Sequence, residues 1–323
     1  MGAAGTGVPM TGSLLRRTTI LAGLVAGLVL VPAATSPATA TSCRFADGVA
    51  TVRVDAGTAV RMFVWPGTRR LWWGNQSDSS QDGYCGRART GNTDRVVVIG
   101  RGRTSRLDYQ LPHHAFGPGR VAEARGESEI EFVLRDVTAF WMTGLGGLDG
   151  VADRVWLGER GVDVNGDGDR DVTFRGGPMT NVALFLLGGP DSADAGGGHG
   201  TGDAWPRRRS LTVTGGDGDD VLRGHAGPDS LRGDPGTDRL YGLGGRDDLS
   251  DSGIDDELWG GGGADVLTSL SGDPTWFHGG AGDDVIDALD TFVDHLVDGG
   301  PGHDRAWYDD EDPTSSIEER LVR

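Results

Sequence analysis

The chain has 323 residues, 57 of them Gly, no Lys among its 30 basic residues, and a formal net charge of −18. That length accommodates two domains or one elongated solenoid, and the acidic balance excludes a nucleic-acid partner held through its phosphates. Gly and Asp enrichment ordinarily signals a disordered tract, but a strict nine-residue periodicity toward the C-terminus excludes that reading.

At the N-terminus, Arg16 and Arg17 precede an apolar run from Ile20 to Val31, and small residues end at Ala38-Thr39-Ala40. This is the layout of a cleaved secretory signal over residues 1–40. The run is about a dozen residues, short for a membrane span, so the mature chain is expected to start near Thr41, to be extracellular and to carry no span. A twin-arginine signal is the rival reading, against which Thr19 stands where a bulky apolar residue belongs. Export places the only two cysteines, Cys43 and Cys85, in an oxidising compartment, where one disulfide is the expected state.

Between 41 and 214 the pattern is β-like alternation broken by turns: Val49 to Val54, Val60 to Trp65, Arg95 to Ile99, Glu129 to Leu134, Val137 to Trp141 and Val182 to Leu187. Residues 41–125 read as an N-terminal β module held by the cysteine pair. Residues 126–214 read as an irregular solenoid lead-in, because GLGGLDGVA (144–152), GGPDSADA (from 188) and GGHGTGDAW (197–205) echo the repeats that follow. An end cap is required, since open coils expose strand edges and apolar interior.

One acidic loop, Asp163-Val-Asn165-Gly-Asp167-Gly168-Asp169-Arg-Asp171, matches the first half of an EF-hand-type loop. Phe174 stands where the bidentate Glu belongs, and no helix pattern flanks it. Asp163, Asn165 and Asp167 are therefore expected either to ligate Ca²⁺ in a looser loop or to form a plain acidic turn. His113-His114 have no carboxylate at helical spacing and do not read as a metal pair. Trp65, Trp72 and Trp73 read as core rather than as a platform for sugar rings. Trp205 to Arg209 reads as a solvated loop leading into the repeats.

Residues 215–268 are six nonapeptides without insertion. The first position is Gly in five of them (Gly215, Gly224, Gly233, Gly242, Gly260), the sixth is always Asp (Asp220, Asp229, Asp238, Asp247, Asp256, Asp265) and the eighth is always Leu. Residues 215–310 hold 23 acidic residues against 5 Arg, whereas 41–214 hold 21 of each, so the acidity belongs to the repeats. If two nonapeptides make one coil, residues one coil apart stack at roughly 4.7 to 4.9 Å in neighbouring parallel strands. Asp220, Asp238 and Asp256 then form one column and Asp229, Asp247 and Asp265 another. Like charges stacked so closely repel, so a cation is expected between them. Turn carbonyls with carboxylates, and no nitrogen or sulfur, form a hard-cation set that suits Ca²⁺ better than Mg²⁺.

The stretch resembles the GGxGxDxUx repeats of the repeats-in-toxin (RTX) family. That resemblance implies an all-β, right-handed parallel β-roll over 215–310 with several Ca²⁺ ions between turns on the same side. Carried onto this chain, the bridging pairs are Asp220 with Asp238, Asp238 with Asp256, Asp229 with Asp247 and Asp247 with Asp265. Carbonyls near Gly215, Gly224, Gly233, Gly242 and Gly260 complete the shells, Asp284 and Asp304 extend the ligand set, and 311–323 is a tail. Departures from the family pattern carry their own expectations. Ile254 and Asp251 replace glycines in the fifth repeat, so its turn is expected to be strained or its site weakened. Residues 269–277 place Pro274 in the Asp column and Trp276 in the Leu column, where no ion is expected. Residues 289–297 keep Asp294 and Leu296 as a coil without glycine.

No HExxH helix, GxSxG elbow or Cys/His nucleophile arrangement occurs. The expected function is a secreted, non-enzymatic Ca²⁺-binding repeat protein whose roll folds as its sites fill. The alternative is a carbohydrate-active enzyme housed in 41–214, or a cell-surface adhesin for cell-wall or extracellular polysaccharide.

Overall fold

A computed structural model describes residues 41–322 other than 66–68, 76–77, 90–91, 102–104, 111–129, 144–151, 165–167, 169, 178 and 272–273. The signal segment, His113-His114, Asn165 and Asp167 lie outside the described residues. Among those described there is no α-helix, and none is long and apolar enough to cross a membrane.

Two large sheets receive strands in alternation as the chain advances. In the first sheet β1 (Ser42–Ala46) pairs antiparallel with β2 (Val49–Asp55). In the second, β3 (Ala59–Trp65) is flanked antiparallel by β4 (Arg70–Asn75), which pairs with β5 (Asp78–Arg89). Cys43 of β1 and Cys85 of β5 form the expected disulfide, Cα to Cα 5.2 Å. It joins the outermost strand of one sheet to the outermost strand of the other.

Parallel stacking starts at once: β6 (Arg95–Arg101) lies on β2 and β7 (Arg106–Gln110) on β3. The segment read as a separate β module thus contains the first two coils. Next come β8 (Glu131–Arg135) and β9 (Ala139–Thr143), stacked on β6 and β7. An antiparallel excursion, β10 (Arg154–Gly158) and β11 (Gly161–Asp163), precedes β12 (Val172–Arg175), which returns parallel to β8. β13 (Asn181–Gly188) stacks on β9, β14 (Ser192–Asp194) on β10, and β15 (Ser210–Asp217) on β13.

From there the coils are regular. The first sheet gains β16 (Val221–Arg223), the second β17 (Asp229–Arg232), and the alternation continues through β18 (Arg239–Gly245), β19 (Asp248–Asp251), β20 (Asp256–Gly263) and β21 (Val266–Ser269). It ends with β22 (Thr275–Ala281), β23 (Val285–Ala288), β24 (Leu296–Asp298), β25 (Arg305–Tyr308), β26 (Thr314–Ser315) and β27 (Glu319–Arg320). All these pairings are parallel, because consecutive strands enter different sheets and each strand meets its partner only after a full coil.

The core is two stacked apolar columns, one per sheet. Leu222, Leu240, Leu258, Phe277 and Val297 are in register on the first sheet. Leu231, Leu249, Leu267, Ile286 and Ala306 are in register on the second. Every one has 0 % exposure, and a fully buried Leu contributes about 1.5 to 3 kcal/mol over an exposed one. Upstream, Val213, Leu184, Met142 and Tyr109 continue the second column.

Three expectations are corrected by these registers. Thr275, not Pro274, stands opposite Asp256, and Phe277, not Trp276, stands opposite Leu258. The coil there is one residue longer, which moves the phase by one. For the same reason Val297, not Leu296, occupies the interior opposite Phe277. Trp205 is no solvated loop residue: it is 1 % exposed and lies edge-on to Phe174 at 5.9 Å.

Candidate metal centre

Each repeat presents its Asp in the turn immediately before a short strand, and the backbone amide there points along the stack. The Asp220 N–H donates to Asp238 Oδ1 at 2.6 Å, and the Asp238 N–H to Asp256 Oδ1 at 2.9 Å. On the opposite side the chain of bonds runs Asp229 to Asp247 (2.9 Å), Asp247 to Asp265, Asp265 to Asp284 and Asp284 to Asp304 (each 2.8 Å). The two expected columns are therefore carboxylate ladders, each rung hooked to the backbone of the coil before it.

The ladders are longer than the repeat count implies. Asp153 heads the first, its N–H donating to Asp191 Oδ1 at 2.8 Å, and the Asp191 N–H donates to Asp220 Oδ1 at 2.7 Å. After the gap at Thr275 the same side resumes with Asp294, which accepts from the Thr275 amide, and Asp312, which accepts from the Asp294 amide. The signal for Asp191 lay in the shortened GGPDSADA copy. Asp312 had none, because the glycines that mark a repeat are missing around it.

Only one oxygen of each carboxylate is used by these hooks. Oδ2 of Asp191, Asp220, Asp238, Asp247, Asp265, Asp284, Asp294 and Asp304 is buried without a hydrogen-bond partner. A buried carboxylate oxygen without a donor costs free energy. Each turn leaves room beside it by lacking a side chain. A Cβ on Gly260 would stand 2.7 Å from Asp265 Oδ2 and 2.5 Å from the Gly279 carbonyl. One on Gly279 would stand 2.6 Å from both Asp284 Oδ2 and the Gly299 carbonyl. Gly215, Gly224, Gly233 and Gly242 face the oxygens of Asp220, Asp229, Asp238 and Asp247 in the same way. Carboxylate and carbonyl oxygens with no donor between them fit a hard cation.

Electrostatics point the same way. Burial first, then the neighbouring ladder carboxylates, pushes Asp220 and Asp247 up to about 8. The same causes push Asp238 and Asp294 up to about 7 and Asp284 up to about 6. Asp265 and Asp304 are raised by burial as well.

Asp229 is the exception among the expected ligands. Its Oδ2 accepts the His225 N–H at 2.6 Å and its Oδ1 lies 2.5 Å from His225 Nδ1, with His225 only 1 % exposed. Both oxygens are occupied, so the structure does not offer Asp229 to the expected pair with Asp247. His225 stands at a turn position that the repeat pattern gives to Gly, which is why the plug forms. In the acidic loop, Asp163 Oδ2 accepts the Gly168 N–H and Asp171 Oδ2 accepts the Val164 N–H, bonds that close the turn between β11 and β12. In the fifth repeat the left-handed turn position falls on Asp255 rather than on Ile254. Gly253 takes the slot against the Gly236 carbonyl, Ile254 turns outward at 56 % exposure, and Asp255 adopts the left-handed φ of 56°, which Asp tolerates better than most residues.

Stacked parallel coils with a carboxylate ladder on either side define a class, the calcium-binding β-roll. Residues 214–249, 250–275 and 276–290 match the family described as RTX calcium-binding nonapeptide repeat, in four copies. Residues 214–290 are thus RTX-type calcium-binding nonapeptide repeats. No curated protein and no solved structure matches the chain.

Proposed function

We propose that this protein is a secreted, non-enzymatic Ca²⁺ binder whose roll closes as its ladders are neutralised. The observation that carries the reading is the row of buried Oδ2 atoms without donors, repeated in both ladders. Bound Ca²⁺ supplies positive charge and accepts six to eight oxygens. Asp220 with Asp238, Asp238 with Asp256, Asp247 with Asp265, Asp265 with Asp284 and Asp284 with Asp304 would hold it, together with carbonyls of the glycine turns. The chain's own residues do the rest: the Asp hooks set the register, the glycines keep the cradles open, and the Leu columns close the interior. Metal affinity is then folding free energy. Export is supported by the Arg16-Arg17, Ile20 to Val31 and Ala38 to Ala40 pattern and suits a chain whose only cysteines are paired.

Circular dichroism of the purified protein titrated with Ca²⁺ tests the reading. The β signal should rise cooperatively and be lost to a chelator; a spectrum indifferent to both sinks it. A second reading, saccharide binding by the early coils, rests on a groove of about 440 Å³ outside the second sheet. There the Arg106 guanidinium lies 4.0 Å over the Trp141 ring, beside Arg61 and Phe185. On a polysaccharide panel, binding without turnover marks an adhesin, turnover marks an enzyme, and neither removes this reading.

A further inference from the structure

Asp251 stands where the other five repeats have their first glycine. From the pattern alone this substitution weakens a turn, yet the structure turns it to another use. Asp251 ends β19 at 1 % exposure, and its carboxylate meets those of Asp238 and Asp256, neighbours on the first ladder. One oxygen from each of the three lies within 4.8 Å of the other two. Elsewhere along the described ladders no third carboxylate joins a rung pair in this way.

Backbone donors orient the group. The Ser252 N–H binds Asp251 Oδ1 at 2.7 Å, the Asp220 N–H binds Asp238 Oδ1 at 2.6 Å and the Asp238 N–H binds Asp256 Oδ1 at 2.9 Å. Asp238 Oδ2 and Asp251 Oδ2 are left buried with no donor. Both lie against Gly233, where a Cβ would collide with each of them. Two carboxylates facing one another in a dry space do not both stay ionised without a cation between them. Burial, then the Asp256 and Asp238 carboxylates, push Asp251 up to about 9, so it shares a proton with Asp238 until a cation displaces that proton.

We propose that Asp238, Asp251 and Asp256 form one cation site that binds more tightly than the two-carboxylate positions of the ladders and fills first. This rests on the ladder reading above and adds a ranking to it. Ligand charge count is a principal control on the affinity of oxygen sites. Three carboxylates leave one negative charge uncompensated by Ca²⁺ and none by a trivalent lanthanide. The site therefore favours the trivalent ion more strongly than the rest of the roll does.

The test is calorimetric titration of the full chain with Ca²⁺, then with Tb³⁺, on the parent, Asp251→Gly and Asp251→Asn. Asp251→Gly restores the residue the other repeats carry, and Asp251→Asn keeps the acceptor for Ser252. Dichroism at saturating Ca²⁺ confirms that each variant folds. The parent should show one ion bound about tenfold or more tighter than the others. Both variants should lose that class with the total count unchanged, and the Tb³⁺ preference of the first ion should fall by a similar factor. Variants that keep the parental first class overturn this proposal and leave the ladder reading standing. A parent that binds no Ca²⁺ overturns both.

Discussion

Asp247 is the second rung of the second ladder, its Oδ1 accepting the Asp229 amide at 2.9 Å and its Oδ2 buried without a donor. Burial, reinforced by the Asp229 and Asp265 carboxylates, pushes it from 3.8 up to about 8. Because the folded value lies above the unfolded one, ionisation works against the cation-free fold. Its stability is full below about pH 4 and falls as the pH rises toward 8. At pH 7 the working pH is about three units above the unfolded value, and at about 1.36 kcal/mol per unit the cost approaches 4 kcal/mol. That is an upper bound, since neighbouring rungs share the same protons. Asp247→Asn removes this cost while keeping the Oδ1 acceptor, but it also removes a ligand. In chelator at pH 7 the variant should therefore be more stable than the parent, by as much as about 4 kcal/mol. At saturating Ca²⁺ it should be less stable. Urea unfolding followed by dichroism reads both signs. If the chelated parent is unfolded at pH 7, the pH at which added acid folds each protein replaces it, and the variant should fold at the higher pH. A variant less stable than its parent in chelator would show that the carboxylate supports the fold unaided, and the case from orphaned oxygens would fail.

His225→Gly removes the imidazole from Asp229 Oδ1, while the backbone N–H of residue 225 stays on Oδ2. One freed oxygen is what the other rungs offer, so equilibrium dialysis should count one more bound Ca²⁺ per chain, and an unchanged count means the imidazole does not close a site. Leu249→Ala empties a position of 0 % exposure between Leu231 and Leu267 and should cost about 2 to 5 kcal/mol in urea with Ca²⁺ present. A loss well under about 1 kcal/mol would mean that the column is loosely packed. Reducing Cys43–Cys85, separated by 42 residues, should remove about 4 kcal/mol by loop entropy. Limited proteolysis should then cut within β1 to β5 first, with the Ca²⁺ response of the repeats unaltered.

The regular half of the roll was legible because two physical demands repeat in one frame. An interior Leu and a hooked Asp recur every ninth residue, so the eighth and sixth positions of the repeat name the core and the ladders directly. The early coils meet only the first demand. Met142, Leu184 and Val213 fill the same column, but the hooks stop at Asp191 and the period disappears with them. Phase was lost where a coil took an extra residue: a count of nine lands on Pro274 and Trp276, whereas the interior needs Phe277. The plug at His225 and the third carboxylate at Asp251 were visible as departures from the pattern. Their meaning was not, because each depends on which atoms face across a turn. Trp205 deceived through its neighbours, three arginines that suggest solvent around a ring packed inside.

The hooks of the second ladder span 18, 19 and 20 residues in successive coils, yet each closes at 2.8 Å. Contour length is thus decoupled from height: whether the coil has 18, 19 or 20 residues, the next Asp catches the backbone at the same distance as before. In a sheet, a slip of one residue inverts every later face. Here each coil is measured afresh against its predecessor, so a miscount stays where it arises. A filament assembled under that discipline can gain an insertion, or a whole extra winding, without the change being passed down the line.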